Sequence, residues 1–172
     1  SFLPDWRPNS DYRKSYSAKK AEGGGVLRDL SHELDYLLYL FGSCKKVTSL
    51  GGKLSQLDID SDDIYTILME TAICPIVSVH LNYLDRVPNR FIIVNTDKNT
   101  IKTDFISKTI TIDDKKENFD YDRNLIYKRQ HESMINKDYS RICSFDQGLE
   151  IVNLIQQIEK SAENNEGHWI NN

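Results

Sequence analysis

Six segments rich in β-branched and aromatic residues lie at 47–57, 64–73, 76–84, 90–96, 100–105 and 108–112, and every connection between them is short. Gly51-Gly52, the acidic run 58–63, residues 85–89 and Asp97-Lys98-Asn99 supply the turns. A parallel crossover needs a dozen or more residues, so these strands must pair mainly antiparallel. Helical patterns flank them, over 26–41 before and over about 123–137 and 144–162 after, the last with Ser144 as a possible N-cap. That order predicts an α+β fold, a largely antiparallel open sheet with helices packed on one face. At 172 residues and 39% hydrophobic the chain suits one domain. It divides into a lead-in strap (1–22), a motif helix (23–42), a sheet (45–121) and closing helices with a tail (123–172).

The motif helix carries the chemistry. Gly23-Gly24-Gly25 opens into an amphipathic stretch that Gly42 should stop. Leu27, Leu30, Leu34, Leu37, Leu38 and Phe41 can anchor it in a core. Asp29, His32 and Asp35 follow at i, i+3 and i+6, so the first two share a face. A carboxylate beside an imidazole is the minimum equipment for a proton shuttle near neutral pH. Before this helix runs an aromatic and charged lead-in, in which Pro4 and Pro8 should keep Trp6-Arg7 extended.

Several function classes recede. Formal charge is −4, from 22 basic against 26 acidic residues, with no long basic run, so nucleic-acid binding is a poor fit. Cys44, Cys74 and Cys143 are odd in number and form no CxxC pair, which points to the reducing cytoplasm. No apolar run nears the roughly 20 residues that span a bilayer, and the first residues do not read as a signal peptide. The Asp58-x-Asp60-x-Asp62 run is not a calcium loop, because Asp63 stands where glycine is required and Met69 where glutamate is. Asp29, His32 and Asp35 lack a fourth ligand, so no metal is expected. His80, His131 and His168 read as structural or solvated.

On these residues the chain resembles the C-terminal domain of the glucose–fructose oxidoreductase / inositol dehydrogenase (Gfo/Idh/MocA) family. The family pattern is a glycine-rich turn, an Asp, then His-x-x-Asp, matched by 23–25, Asp29, His32 and Asp35. The lead-in, from Leu3-Pro4-Asp5-Trp6-Arg7-Pro8 to Ser17, resembles a bacterial subgroup acting on unusual or nucleotide-linked sugars, and the segment from Ser144 to Ala162 fits the family's last helix. Many members space Asp and His four apart; here they are three apart.

The resemblance implies the substrate half of an NAD(P)-dependent oxidoreductase. His32 would exchange a proton with a sugar hydroxyl, and Asp29 would orient the imidazole. Trp6, Arg7, Tyr12, Arg13, Tyr16 and Asp35 would contact substrate, aromatic faces stacking and arginines forking onto phosphate. It also implies an N-terminal Rossmann domain that binds the NAD or NADP and supplies a lysine. These residues contain no such domain, since the Gly23–Gly25 cluster lacks GxGxxG spacing, so the chain alone should be inactive. Homo-oligomerisation through the sheet is implied too. Two other readings stay open: a non-catalytic binding or dimerisation module of that ancestry, and a cofactor-free enzyme using His32 and Asp29 directly.

Overall fold

The computed structural model describes residues 1–140 and 142–164; His168 lies outside them. In chain order its helices and strands are α1 (Val26–Asp29), α2 (Ser31–Phe41), β1 (Cys44–Gly52), β2 (Ile64–Thr71), β3 (Val77–Asn82), β4 (Phe91–Asn95), β5 (Thr100–Asp104), β6 (Thr109–Ile112), β7 (Lys115–Asn118), α3 (Arg123–Ile135) and α4 (Phe145–Glu163). They form two compact units: Ser1–Arg86 together with α4, and Val87–Ser144. The fold is α+β with antiparallel strands, as expected, but the strands divide into a three-stranded and a four-stranded sheet.

In the first unit β1, β2 and β3 pair antiparallel in that order. Alternation sends Tyr65, Ile67 and Met69 of β2 and Val77, Val79 and Leu81 of β3 to one buried face. Leu34, Leu37 and Leu38 of α2 and Ile151, Leu154, Ile155 and Ile158 of α4 complete that core. The α4 stripe runs i, i+3, i+4, i+7, so Ile151 is buried while Leu149 and Val152 are exposed. Serines pin α4 to β1, an edge strand: Ser49 Oγ donates to the Ile158 carbonyl at 2.6 Å, and Ser161 Oγ accepts the Ser49 N–H at 3.1 Å.

Two expectations for the N-terminal third are corrected. The lead-in is not extended: it is a string of single 3-10 turns at Leu3–Asp5, Tyr12–Lys14, Tyr16–Ala18 and Lys20–Glu22. Pro4 is the second residue of the first of them, where a fixed φ and a missing N–H suit a helical start. The motif helix is not continuous either. It breaks at Leu30, with φ −104° and ψ 22°, before resuming as α2. Gly42 does stop it, with φ 77° and its N–H donated to the Leu38 carbonyl at 2.8 Å.

The acidic run 58–63 holds the lead-in and the glycine turn in place. Arg13 reaches Asp58, Asp60 Oδ1 accepts the Lys20 N–H at 2.6 Å, and Ser61 Oγ donates to the Ser17 carbonyl at 2.6 Å. Asp62 takes the Val26 N–H on its carbonyl at 3.0 Å and the Leu27 N–H on Oδ2 at 3.3 Å. The glycines are needed for this closeness. A Cβ on Gly24 would stand 2.1 Å from the Tyr16 carbonyl oxygen, and one on Gly25, where φ is +122°, would stand 2.2 Å from Asp62 Oδ1. Gly25→Ala combines a disfavoured φ with that clash, so it should lower unfolding free energy by about 2–4 kcal/mol, read from the urea midpoint.

The second unit is a meander, β4-β5-β6-β7, all antiparallel. Strand β7 has no β-rich pattern and goes unforeseen; it exists because Asp113, at φ 53°, turns the chain tightly back from β6. Helix α3 begins where expected, with Asp122 accepting the Asn124 N–H at 3.1 Å. Its Ile126, Met134 and Ile135 are exposed.

Candidate functional site

Asp29 closes α1, and its carboxylate accepts a hydrogen bond from the Tyr83 hydroxyl at 2.6 Å. Tyr83 is fully buried just beyond β3, and Trp6 packs edge-on against its ring at 5.3 Å and 88°. Its backbone is held on both sides, donating to the Asp63 carbonyl at 2.9 Å and accepting from the Leu3 N–H at 3.0 Å. Burial, and then the Asp29 carboxylate, push the Tyr83 hydroxyl far above the ordinary phenol range. It is therefore a permanent donor, not a base. Trp6 and Asp29 are thus joined through a residue that sequence reasoning missed. Strand parity was the available signal: Tyr83 follows Val79 and Leu81 on the inward face.

His32 stands one turn further on, in the first turn of α2, with its side chain 53% exposed. No hydrogen bond joins it to Asp29 among the described residues. Its Nε2 lies 3.0 Å from Oε1 of Glu33, whose other oxygen, Oε2, accepts a hydrogen bond from the Tyr36 hydroxyl. Glu33 is only 8% exposed. The break at Leu30 separates Asp29 and His32, which a continuous helix would have set on one face. The orienting role expected for Asp29 therefore has no contact behind it in this geometry.

The remaining candidates differ in how free they are. Arg13 holds Asp11 through Nε at 2.8 Å and Nη2 at 2.9 Å and reaches Asp58 at 3.5 Å, and Asp11 foremost keeps the guanidinium above its ordinary range. Tyr12 Oη accepts the Asp58 N–H at 3.3 Å. Arg7 is exposed and makes no ion pair among the described residues. Trp6 and Tyr16 are 37% and 48% exposed, and Asp35 is half-buried on α2. His80 accepts or donates at Thr66 Oγ1, and His131 Nδ1 meets the Tyr127 carbonyl, so both have structural contacts. Among the described residues no cluster of histidine, cysteine or carboxylates suits a metal ion.

A dinucleotide pyrophosphate needs unengaged N–H groups at a helix start. Here Gly23 N–H donates to the Lys20 carbonyl, Gly24 N–H to the Lys19 carbonyl, and the Val26 and Leu27 amides to Asp62. The Tyr16 carbonyl and the Asp62 side chain fill the space in front of the glycines. These four amides are therefore engaged within the chain and are not open to a pyrophosphate. No helix among the described residues is long and apolar enough to cross a membrane.

The sequence model of one protein family, the GFO/IDH/MocA C-terminal domain, matches residues 1–101. No curated protein sequence matches. Among solved structures, an oxidoreductase from Thermotoga maritima superposes with a TM-score of 0.75 at 17% identity, over 92% of this chain and 49% of its own. UDP-N-acetylglucosamine 3-dehydrogenase from Acidithiobacillus ferrooxidans gives 0.67 at 20% identity, over 81% of this chain and 47% of its own. The WlbA dehydrogenase from Bordetella pertussis, in complex with NADH and UDP-GlcNAcA, gives 0.63 at 16% identity, over 82% and 46%. This chain spans about half the length of each of these structures.

Proposed function

This chain belongs to the GFO/IDH/MocA C-terminal domain family, and on that premise we propose that it is the substrate-binding, proton-handling half of an NAD(P)-dependent oxidoreductase acting on a hydroxyl of a sugar or nucleotide sugar. The observation that carries the reading is His32: a half-exposed imidazole on an anchored helix, beside a buried carboxylate, within a matched family domain. In this reading His32 takes the proton from the substrate hydroxyl that becomes a carbonyl. The redox chemistry belongs to a dinucleotide held outside these residues, because the glycine turn is closed by its own chain.

Exposure ranks the substrate contacts. Arg7, which pairs with no carboxylate among the described residues, suits a phosphate, and the exposed faces of Trp6 and Tyr16 suit a pyranose or base. Asp35 and Tyr12 can accept or donate to sugar hydroxyls. Arg13 serves only by exchanging Asp11 or Asp58 for substrate. The outward face of β1–β3 carries Leu50 and Leu68, each 49% exposed, which supports a homo-oligomer through that sheet. Three cysteines without a disulfide support a cytoplasmic setting.

The test is a turnover assay of the full-length protein with NAD+ and with NADP+ against UDP-sugars and free sugars, following nicotinamide absorbance. Reduction that depends on a sugar supports the proposal. Conversion of sugar by the protein without nicotinamide would instead establish the cofactor-free reading, and sugar binding without turnover the binding module.

A further inference from the structure

We propose that Asp29 is a positioning residue for substrate binding and takes no part in proton transfer: through the buried Tyr83 it seats Trp6 as a stacking face. This rests on the stacking role given to Trp6 above. Asp29 ends α1, Tyr83 follows β3, and Trp6 follows the first turn of the lead-in, yet the three form one chain of contacts. The Tyr83 hydroxyl donates to the Asp29 carboxylate at 2.6 Å, and the Tyr83 ring meets the indole at 5.3 Å and 88°. Among the described residues no hydrogen bond leads from Asp29 to His32.

Each link restrains the next. A phenol with no exposed surface needs a partner for its O–H, and the Asp29 carboxylate is that partner, so their bond fixes where the ring lies. The backbone that carries Trp6 hangs from the same residue. Leu3 N–H donates to the Tyr83 carbonyl at 3.0 Å, and Trp6 N–H donates to the Leu3 carbonyl at 3.1 Å. The indole N–H donates to Ser1 Oγ at 2.9 Å, which fixes the other end of the ring system. A perpendicular contact covers at most one face of the indole, and Trp6 remains 37% exposed. An aromatic face held in place before binding loses little freedom when a ligand stacks on it. Removing the Asp29 acceptor therefore loosens Tyr83, then Trp6, and weakens binding while the proton step at His32 is untouched.

The experiment uses the full-length protein grown with 5-fluorotryptophan, with Trp6→Phe assigning the Trp6 19F resonance. KM and kcat are read with the sugar that supports turnover in the assay above. Tyr83→Phe and Asp29→Ala break the same bond. Each should shift the Trp6 resonance in the same direction and raise KM about 2–10-fold, with kcat changed less than about twofold. Asp29→Asn keeps an acceptor for the hydroxyl and should stay near the parent in both readouts. Combining either variant with Trp6→Ala should add nothing to the KM of Trp6→Ala alone. Tyr83→Phe keeps the buried ring, and it serves if Asp29→Ala folds poorly. A fall in kcat of about tenfold or more on Asp29→Ala, or a Trp6 resonance unmoved by Tyr83→Phe, would overturn the proposal. If Trp6→Ala leaves KM unchanged, the stacking reading falls instead, and the 19F shifts still decide whether Asp29 and Tyr83 seat the indole.

Discussion

Replacing His32 by alanine in the full-length protein is expected to lower kcat by about 10²–10⁴-fold, the usual contribution of a positioned acid–base group. The side chain is 53% exposed and anchors nothing in the core. The loss should therefore appear in turnover and leave the thermal midpoint within about a degree or two of the parent, as for a surface substitution. KM for the sugar should change little, because the proton moves in the transition state. A variant that keeps more than about a tenth of the parent kcat, measured at saturating substrate, would remove His32 from the chemistry.

Asp63→Ala is expected to lower stability strongly. The residue is fully buried, and its carboxylate accepts from the Leu54 N–H at 2.9 Å, the Ser55 N–H at 3.1 Å and the Ser55 hydroxyl at 2.6 Å, with Lys53 Nζ at 3.3 Å. Burial alone would raise its pKa, but these donors together with Lys53 outweigh it and hold the carboxyl below its ordinary value. Alanine leaves those donors without their buried acceptor, at a cost of about 3 kcal/mol. For a chain of this size that corresponds to roughly 6–12 °C in Tm. The depressed pKa also gives a pH dependence. The unfolded chain binds this proton more readily, so the stabilisation is present above about pH 4 and is lost as pH falls below it. Urea midpoints of the parent should drop in that window, and those of Asp63→Ala should drop less.

Legibility followed the strength of the local signal. Antiparallel pairing could be read because short connections leave no alternative, and α4 because its apolar spacing is regular. The break at Leu30 could not be read: the leucine spacing runs on through it, and α1 packs against β2 and β3, contacts that a helical pattern does not encode. Strand β7 is made by a turn, not by its own Lys115-Lys116-Glu117-Asn118. At the site, His32 was visible as a residue type in a pattern. The engagement of Asp29 by Tyr83 was not, because the two lie 54 residues apart in sequence and only the fold brings them together.

The division of the first unit across the chain has a consequence for synthesis. Strands β2 and β3 leave the ribosome with Tyr65, Ile67, Met69, Val79 and Leu81 on their inner face, yet much of its cover is α4, which begins only at Phe145. At ~5–20 residues per second, the whole second unit is made during several seconds in which that face lacks this helix. A chaperone that shields exposed apolar strands during that interval would raise the yield of folded protein, and slow codons within 87–144 would lower it.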